Sequence, residues 1–174
     1  MRRSKLYWLM IIATIASCGD GDGYSEYYDS GVLKIKGSYS EGVKNGDWFH
    51  FKENKDTLRV IRYAKGDTVM LKNFFNGELL SITEYQNNAR VRERTFFPNG
   101  RMQSSYDLNG GVSTDTYEEF YENGQLRLKT DNYGEGLHLF YDSLGVEYEI
   151  YFKGFERIDS LTRKTGNQLV NVTK

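Results

Sequence analysis

The feature that most constrains this chain is a short phrase that returns about every 23 residues: two aromatic residues, one or two polar residues, a glycine and an aliphatic residue. Its copies begin at Tyr27, Phe74, Phe96, Phe120 and, in a looser form, Phe140. The glycines at positions 77, 100, 124 and 145 are 23, 24 and 21 residues apart, and a degenerate copy without its glycine lies at 49–54. A fixed period of this length indicates one supersecondary unit repeated about six times.

Between the copies, polar and apolar residues alternate as they do in half-buried strands. In the first unit Leu33, Ile35 and Tyr39 fall on one face of a strand, and lysines and a serine fall on the other. A turn at 40–46 is predicted from its Asn-Gly step, because this dipeptide adopts the positive φ angles of tight hairpins. No segment shows a helical stripe. We therefore expect an all-β fold: an extended, twisted antiparallel sheet of about six stacked hairpins, with some twelve strands, over residues 27–155.

The N-terminus carries a separate signal. A basic start is followed by an apolar run of about ten residues, which is too short to span a membrane. The run ends in Ile15-Ala16-Ser17-Cys18 and is similar to a bacterial lipoprotein signal, in which lipid is attached to the Cys18 sulfur. An ordinary secretory signal with an incidental cysteine and a short membrane anchor are the alternatives. The predicted organisation is a signal peptide at 1–17, a lipid-anchored tether at 18–26, the repeats at 27–155, and a C-terminal cap or frayed tail at 156–174.

The charge balance argues against a nucleic-acid partner, and the cysteine content excludes a disulfide within the repeats. Loss of residues 1–17 would change the balance from 23 basic and 24 acidic residues to 20 and 24, which is mildly acidic. With no basic tract to hold a phosphate backbone, nucleic acid is not an expected partner. Cys18 is the only cysteine, so the repeats contain no disulfide and depend on packing and hydrogen bonds between strands.

The aromatic-aromatic-x-Asn-Gly-x-Leu phrase, together with Gly42-Val43-Lys44-Asn45-Gly46-Asp47-Trp48, resembles the bacterial variant of the membrane occupation and recognition nexus (MORN) repeat. The resemblance covers about residues 27–154 and is weakest at 52–72 and 140–154. It implies an elongated, twisted sheet of stacked hairpins. Many bacterial chains with this repeat are described as antitoxins of the YwqK type, and the family implies no shared catalytic residues.

The residues offer little for catalysis or metal binding. The two histidines, His50 and His138, fall in comparable strands about four repeats apart, where an open array would prevent them from sharing a metal. No nucleophile elbow, phosphate-binding glycine loop or zinc-protease motif is present. We predict a protein that is not an enzyme and that needs no cofactor or metal.

The best candidate for function is the repeated aromatic pair. Successive side chains on a strand point to opposite faces, so one member of each pair could pack while the other forms a ladder on the surface. The alternative is that both members pack. The candidate binding face is formed by Trp48, Phe75, Phe97, Tyr121 and Tyr141.

We expect a scaffold or adaptor that is lipid-anchored to a bacterial membrane, on the periplasmic or outer surface, and binds an unidentified protein partner. One alternative is an antitoxin or immunity protein that neutralises a cognate toxin. A second is binding of cell-wall glycan.

Overall fold

The structure is a computed structural model that describes residues 22–108, 116–130, 136–153, 156–157, 161–165 and 168–172. Within these ranges the chain forms one antiparallel sheet of 15 strands and no helix. The strands are β1 (Asp22–Tyr27), β2 (Leu33–Ser40), β3 (Val43–Phe51), β4 (Thr57–Ala64), β5 (Asp67–Phe75), β6 (Glu78–Gln86), β7 (Ala89–Phe96), β8 (Met102–Asp107), β9 (Thr116–Phe120), β10 (Leu126–Thr130), β11 (Gly136–Tyr141), β12 (Glu147–Lys153), β13 (Glu156–Arg157), β14 (Leu161–Thr165) and β15 (Gln168–Val172).

The sheet is a meander in which β1 to β12 lie side by side in chain order. Strands β14 and β15 continue it beyond β12, and the short β13 pairs with β12 off the main path. The first and last strands of the order are not paired with each other, so the sheet is open. The prediction of an all-β array of repeated hairpins is confirmed. The first strand begins at Asp22, inside the segment predicted as a tether, because Tyr24 and Glu26 make contacts with the first hairpin.

Cross-strand register assigns the side chains to two faces, because directly opposed residues share a face and successive residues alternate. We call these the Trp48 face and the Phe49 face. Across β1 to β12 the central row of the Trp48 face is Tyr24, Gly37, Trp48, Ile61, Leu71, Thr83, Glu93, Tyr106, Tyr117, Thr130, His138 and Ile150. The corresponding row of the Phe49 face is Ser25, Lys36, Phe49, Val60, Lys72, Ile82, Arg94, Ser105, Glu118, Lys129, Leu139 and Glu149.

Five hairpin corners share one backbone pattern. The N–H of the residue that opens the corner donates to a carbonyl four residues later, and the N–H three residues later donates back to the opening residue. The opening residues are Tyr28, Lys52, Phe97, Tyr121 and Asp142. The residues with positive φ that close the pattern are Gly31, Lys55, Gly100, Gly124 and Gly145. Lys55 therefore occupies the glycine position that the degenerate copy lacks.

The same pattern corrects the alignment of the last copy. Asp142, and not Tyr141, is the structural equivalent of Tyr121, because Asp142 opens the corner and bonds to Val146. The sequence Asp142-Ser143-Leu144-Gly145 supplies the whole corner, so the aromatic pair at 140–141 lies one position earlier than the other pairs.

The chain reverses within the predicted turn at 40–46, but not at the Asn45-Gly46 step. The chain reverses at Glu41-Gly42, where φ is 52° and 78°, and β3 already begins at Val43. These two residues supply both positive φ angles of a two-residue hairpin turn. Gly46 also has a positive φ, of 73°, but it lies within β3 where the pairing with β2 shifts register.

A small aromatic core lies near the N-terminal end of the sheet. Trp48 is 2% exposed and is the only buried hydrophobic residue in the described part of the chain. Its ring stacks on Tyr24 at 5.2 Å between centroids and meets the edges of Tyr39 at 5.0 Å and Tyr63 at 6.1 Å. Its Nε1 donates a hydrogen bond of 3.1 Å to the carbonyl of Ser38, which satisfies the indole inside the cluster.

Candidate functional site

The structure does not bring the five predicted binding residues into one exposed ladder. Trp48 is buried in the aromatic core, whereas Phe75 is 61% exposed beside a short turn. Phe97 and Tyr121 open hairpin corners and are half-buried, and Tyr141 is a half-buried residue of β11. Cys18, the predicted lipidation site, lies outside the described residues.

Two of the corner aromatics bond to the next repeat. The Tyr121 hydroxyl donates to the Tyr141 carbonyl at 2.9 Å, 20 residues along the chain. The Tyr28 hydroxyl makes the equivalent bond, at 2.8 Å, to the Phe51 carbonyl 23 residues along. At the intervening corner the Lys52 ammonium lies 5.5 Å from the centre of the Phe75 ring. These corner side chains therefore connect neighbouring repeats.

A different surface is exposed and apolar: a patch on the Phe49 face across β3 to β6. The rings of Phe49 and Phe51 stack at 6.3 Å, and Phe49 lies directly opposite Val60. Two exposed leucines lie beside this row, Leu58 on β4 and Leu80 on β6, at 40% and 52% exposure. We define the apolar patch by Phe49, Phe51, Leu58, Val60, Leu80 and Ile82. Lys72 lies between Val60 and Ile82 in this row, so the patch is apolar on both sides of one lysine. Exposed apolar groups gathered on one face mark interaction sites more often than scattered ones do.

Strand β6 shows why the patch was missed. Its residues alternate between aliphatic and hydroxyl side chains, and such a pattern normally places the aliphatic side in the core. Here the hydroxyl side is buried, with Ser81 at 8% and Thr83 at 6% exposure, and Leu80 faces solvent. The Ser81 hydroxyl accepts a hydrogen bond of 3.1 Å from the Asn73 amide, so its burial leaves it satisfied. The alternation in β6 therefore separates its two faces, but the usual rule would place the wrong one in the core.

Positively charged side chains lie within and beside the patch. Arg62 holds the Asp47 carboxylate with two hydrogen bonds of 2.7 and 2.9 Å, which lower the pKa of that carboxyl despite its partial burial. Lys72, between Val60 and Ile82, lowers the same pKa by its charge. Within the described residues neither Lys72 nor Lys36 forms an ion pair.

Farther along the Phe49 face, charges of both signs are paired across strands. Glu84 pairs with both Arg92 and Arg94, and Arg92 also pairs with Asp107. Lys129 pairs with Glu118 at 3.0 Å. The patch therefore ends, on its C-terminal side, at a surface of paired acidic and basic side chains.

The two histidines are on strands far apart in the order, His50 on β3 and His138 on β11. Burial, followed by the positive charges of Arg59 and Lys44, lowers the pKa of His50. Among the residues that the structure describes, no three potential His, Cys, Asp or Glu ligands come together to hold a metal ion.

None of the described segments is a helix long and apolar enough to cross a membrane. Comparison with known proteins found no family model, no curated protein and no solved structure that matches the chain. The function is therefore inferred from the surface chemistry of the sheet.

Proposed function

We propose that this protein is a non-enzymatic, lipid-anchored adaptor of the bacterial envelope, which binds a protein partner through the apolar patch of the Phe49 face. The observation that carries the proposal is the exposure of Phe49, Leu58 and Leu80 on one face of the sheet, within four consecutive strands. Leaving aliphatic side chains in water is unfavourable, and covering them with a partner recovers about 25 cal/mol for each Å² of apolar surface buried.

The patch also suits a protein partner because it is presented rigidly. Its residues lie on β3, β4 and β6. Strand β5 lies between β4 and β6 and is hydrogen-bonded to both, and β3 is paired with β4. A surface that is already ordered loses little conformational entropy on binding. Lys36 and Lys72, which form no ion pair with the part of the chain that the structure describes, favour a partner whose apolar surface also carries carboxylates.

The anchor in this proposal rests on the sequence around Cys18. Only three residues separate Cys18 from Asp22, where β1 begins. A spacer of this length reaches at most about 14 Å when fully extended. A lipid on Cys18 would therefore hold the first strands close to the membrane surface, and a partner on β3 to β6 would be held there as well.

An immunity protein or antitoxin would use the same kind of surface, with a toxin as the partner. The resemblance to MORN-repeat antitoxins supports this alternative. The two functions differ in the identity of the partner and in the consequence of losing it, because only an immunity protein protects cells against a toxin.

The test is chemical crosslinking in native envelopes followed by recovery of the full-length protein. The informative variant carries Leu58→Thr and Leu80→Thr, which remove apolar surface and retain residues suited to strands. The matched control is Leu144→Thr, since Leu144 is 85% exposed on a corner outside the patch. A third variant, Cys18→Ala, removes the proposed lipid.

We expect one abundant stoichiometric partner with the wild type and Leu144→Thr, and its loss with the double variant. The free energies of unfolding of all three, from denaturant titrations, should lie within about 0.5 kcal/mol of one another, because exposed substitutions have small effects. Cys18→Ala should release the protein from the membrane fraction. Recovery of the same partner by the double variant would refute the role of the patch, and recovery of no protein partner by the wild type would refute the adaptor function.

A further inference from the structure

We propose that the opposite side of the sheet, the Trp48 face, carries a separate binding site for a neutral oligosaccharide. The site is a cleft over β7, β8 and β9 with a volume of about 390 Å³, lined by Glu93, Thr95, Ser104, Tyr106 and Tyr117. Small-ligand sites have volumes of about 300 to 1,000 Å³, so the cleft has room for one or two sugar rings. It shares no residue with the apolar patch and goes beyond the adaptor function.

Strand register brings the lining residues together. Glu93 is directly opposite Tyr106, and Tyr106 is directly opposite Tyr117, so these three form one row across the cleft. Thr95 and Ser104 face each other in the adjacent row. The two tyrosine rings meet at 64° with centroids 6.3 Å apart. The cleft therefore has an aromatic part and a hydroxyl part side by side.

Glu93 is the charged group of the cleft. Its Oε2 accepts a hydrogen bond of 2.9 Å from Arg90, whereas its Oε1 has no hydrogen-bond partner in the described part of the chain. Glu119, opposite Ser104 on the same face, is bonded through Oε1 to Arg127 at 2.7 Å. Both carboxylates are thus oriented by arginines and retain acceptor capacity, because each ionised carboxylate has about four lone-pair positions.

This set of groups matches the chemistry of a sugar. The C–H face of a pyranose ring is apolar and packs on an aromatic ring, and its hydroxyls donate to carboxylates and exchange hydrogen bonds with serine and threonine. Each of the two carboxylates is paired with an arginine, so the face carries no net charge here and favours a neutral ligand. Ser81 and Thr83 continue the same two rows onto β6 but are buried, so the accessible polar surface of the cleft lies on β7, β8 and β9.

The test uses the full-length protein in detergent micelles with chitotetraose and maltotetraose as probes, measured by calorimetry and by saturation-transfer NMR. Tyr106→Leu removes a stacking ring, and Glu93→Gln removes the charge with almost no change in shape. The matched control is Tyr85→Leu, since Tyr85 lies on β6 and lines a different cleft with Ile61 and Leu71.

We expect the wild type and Tyr85→Leu to bind at least one probe with a dissociation constant of about 1 mM or lower. Tyr106→Leu should weaken that binding about tenfold or more, and Glu93→Gln several-fold. If circular dichroism shows that Tyr106→Leu is unfolded, Glu93→Gln alone decides. Binding of neither probe by the wild type, or equal binding by Glu93→Gln and the wild type, would overturn the proposal.

Discussion

The indole ring of Trp48 lies directly against the backbone of Gly37 on the neighbouring strand. A Cβ atom at position 37 would be 2.2 Å from Cδ2 of the indole and 2.5 Å from Cε2, distances that no real contact reaches. Tyr24 stacks on the indole and Tyr39 meets it edge-on, so the ring is held between neighbouring strands. The aromatic core of this single-layer sheet therefore depends on the absence of a side chain at residue 37.

Gly37→Ala should destabilise the fold by about 1 to 3 kcal/mol, because the added methyl group would overlap the Trp48 indole, which the neighbouring tyrosines hold in place. The matched control is Gly23→Ala on β1, where a built Cβ meets nothing within 4 Å. That variant should stay within about 0.5 kcal/mol of the wild type. Urea titrations followed by circular dichroism give both free energies of unfolding, and equal stabilities for the two variants would contradict this account of the core.

Lys55→Gly should stabilise the protein by about 0.5 kcal/mol. Lys55 has a φ of 72° at the corner position where four other repeats have glycine, and a left-handed conformation costs a side chain about 1 to 2 kcal/mol. The greater freedom of glycine in the unfolded chain offsets about 0.5 to 1 kcal/mol of that gain. Gly100→Ala tests the reverse change at an equivalent corner, where no atom lies within 4 Å of a built Cβ. By the same balance Gly100→Ala should destabilise the protein by about 0.5 kcal/mol, and a stabilisation would show that backbone strain is not the cause.

Tyr121→Phe should cost about 1 kcal/mol of folding free energy, the usual net value of an intramolecular hydrogen bond. It removes the hydroxyl that donates to the Tyr141 carbonyl at 2.9 Å and leaves the aromatic ring in place. Tyr27→Phe is the control, because Tyr27 is 59% exposed and its hydroxyl has no hydrogen-bond partner among the described residues. Thermal unfolding of both variants measures the difference, which should vanish if the bond between repeats adds nothing to stability.

The Asp47–Arg62 pair should make stability depend on acid pH. Hydrogen bonds from Arg62 lower the pKa of the Asp47 carboxyl in the folded state, so folding favours the ionised form. The contribution is then fully present above the ordinary aspartate pKa of about 4, and it is lost as the pH falls through the lower folded value. Because the pair is largely exposed, we expect Asp47→Asn to cost only about 0.5 kcal/mol at neutral pH.

Urea titrations at neutral pH and at about pH 2.5 measure the gap in free energy of unfolding between the wild type and Asp47→Asn. This gap should close in acid. The gap should also shrink in about 1 M salt, which screens exposed charges. A substitution at the exposed turn residue Asp29, which forms no ion pair within the described ranges, should produce no gap at either pH. If the gap for Asp47→Asn persists in acid, the loss of stability comes from packing and not from the charge of Asp47.

The repeat predicted most of the backbone, because each hairpin is determined by residues close together in the chain. Strand alternation and glycine-containing turns have local causes, and the all-β meander followed from them. The errors were local as well. The chain reverses at Glu41-Gly42 and not at Asn45-Gly46. Residues 43–45 pair with β2 and Gly46 pairs with β4, so residues 43–46 belong to β3 and cannot form the turn.

The candidate site was predicted less well, because alternation separates the two faces of a strand without saying which face is crowded. Trp48 was placed on the binding surface and is buried, whereas Leu58 and Leu80 were not singled out and are exposed. In a two-layer protein the aliphatic face of a strand packs against the second layer, so it can be assigned to the core. In a single sheet either face can be open to solvent.

The sequence by itself determined the repeat unit, the antiparallel hairpins and the positions at which most of them turn, because a period-two pattern and positive-φ residues act over a few neighbours. Only the tertiary structure decided that Trp48 closes over Gly37, that Ser81 and Thr83 are covered, and that Leu80 is left in water. Those outcomes depend on the relative register of neighbouring strands, which sets what each side chain meets across the sheet and which no single hairpin specifies.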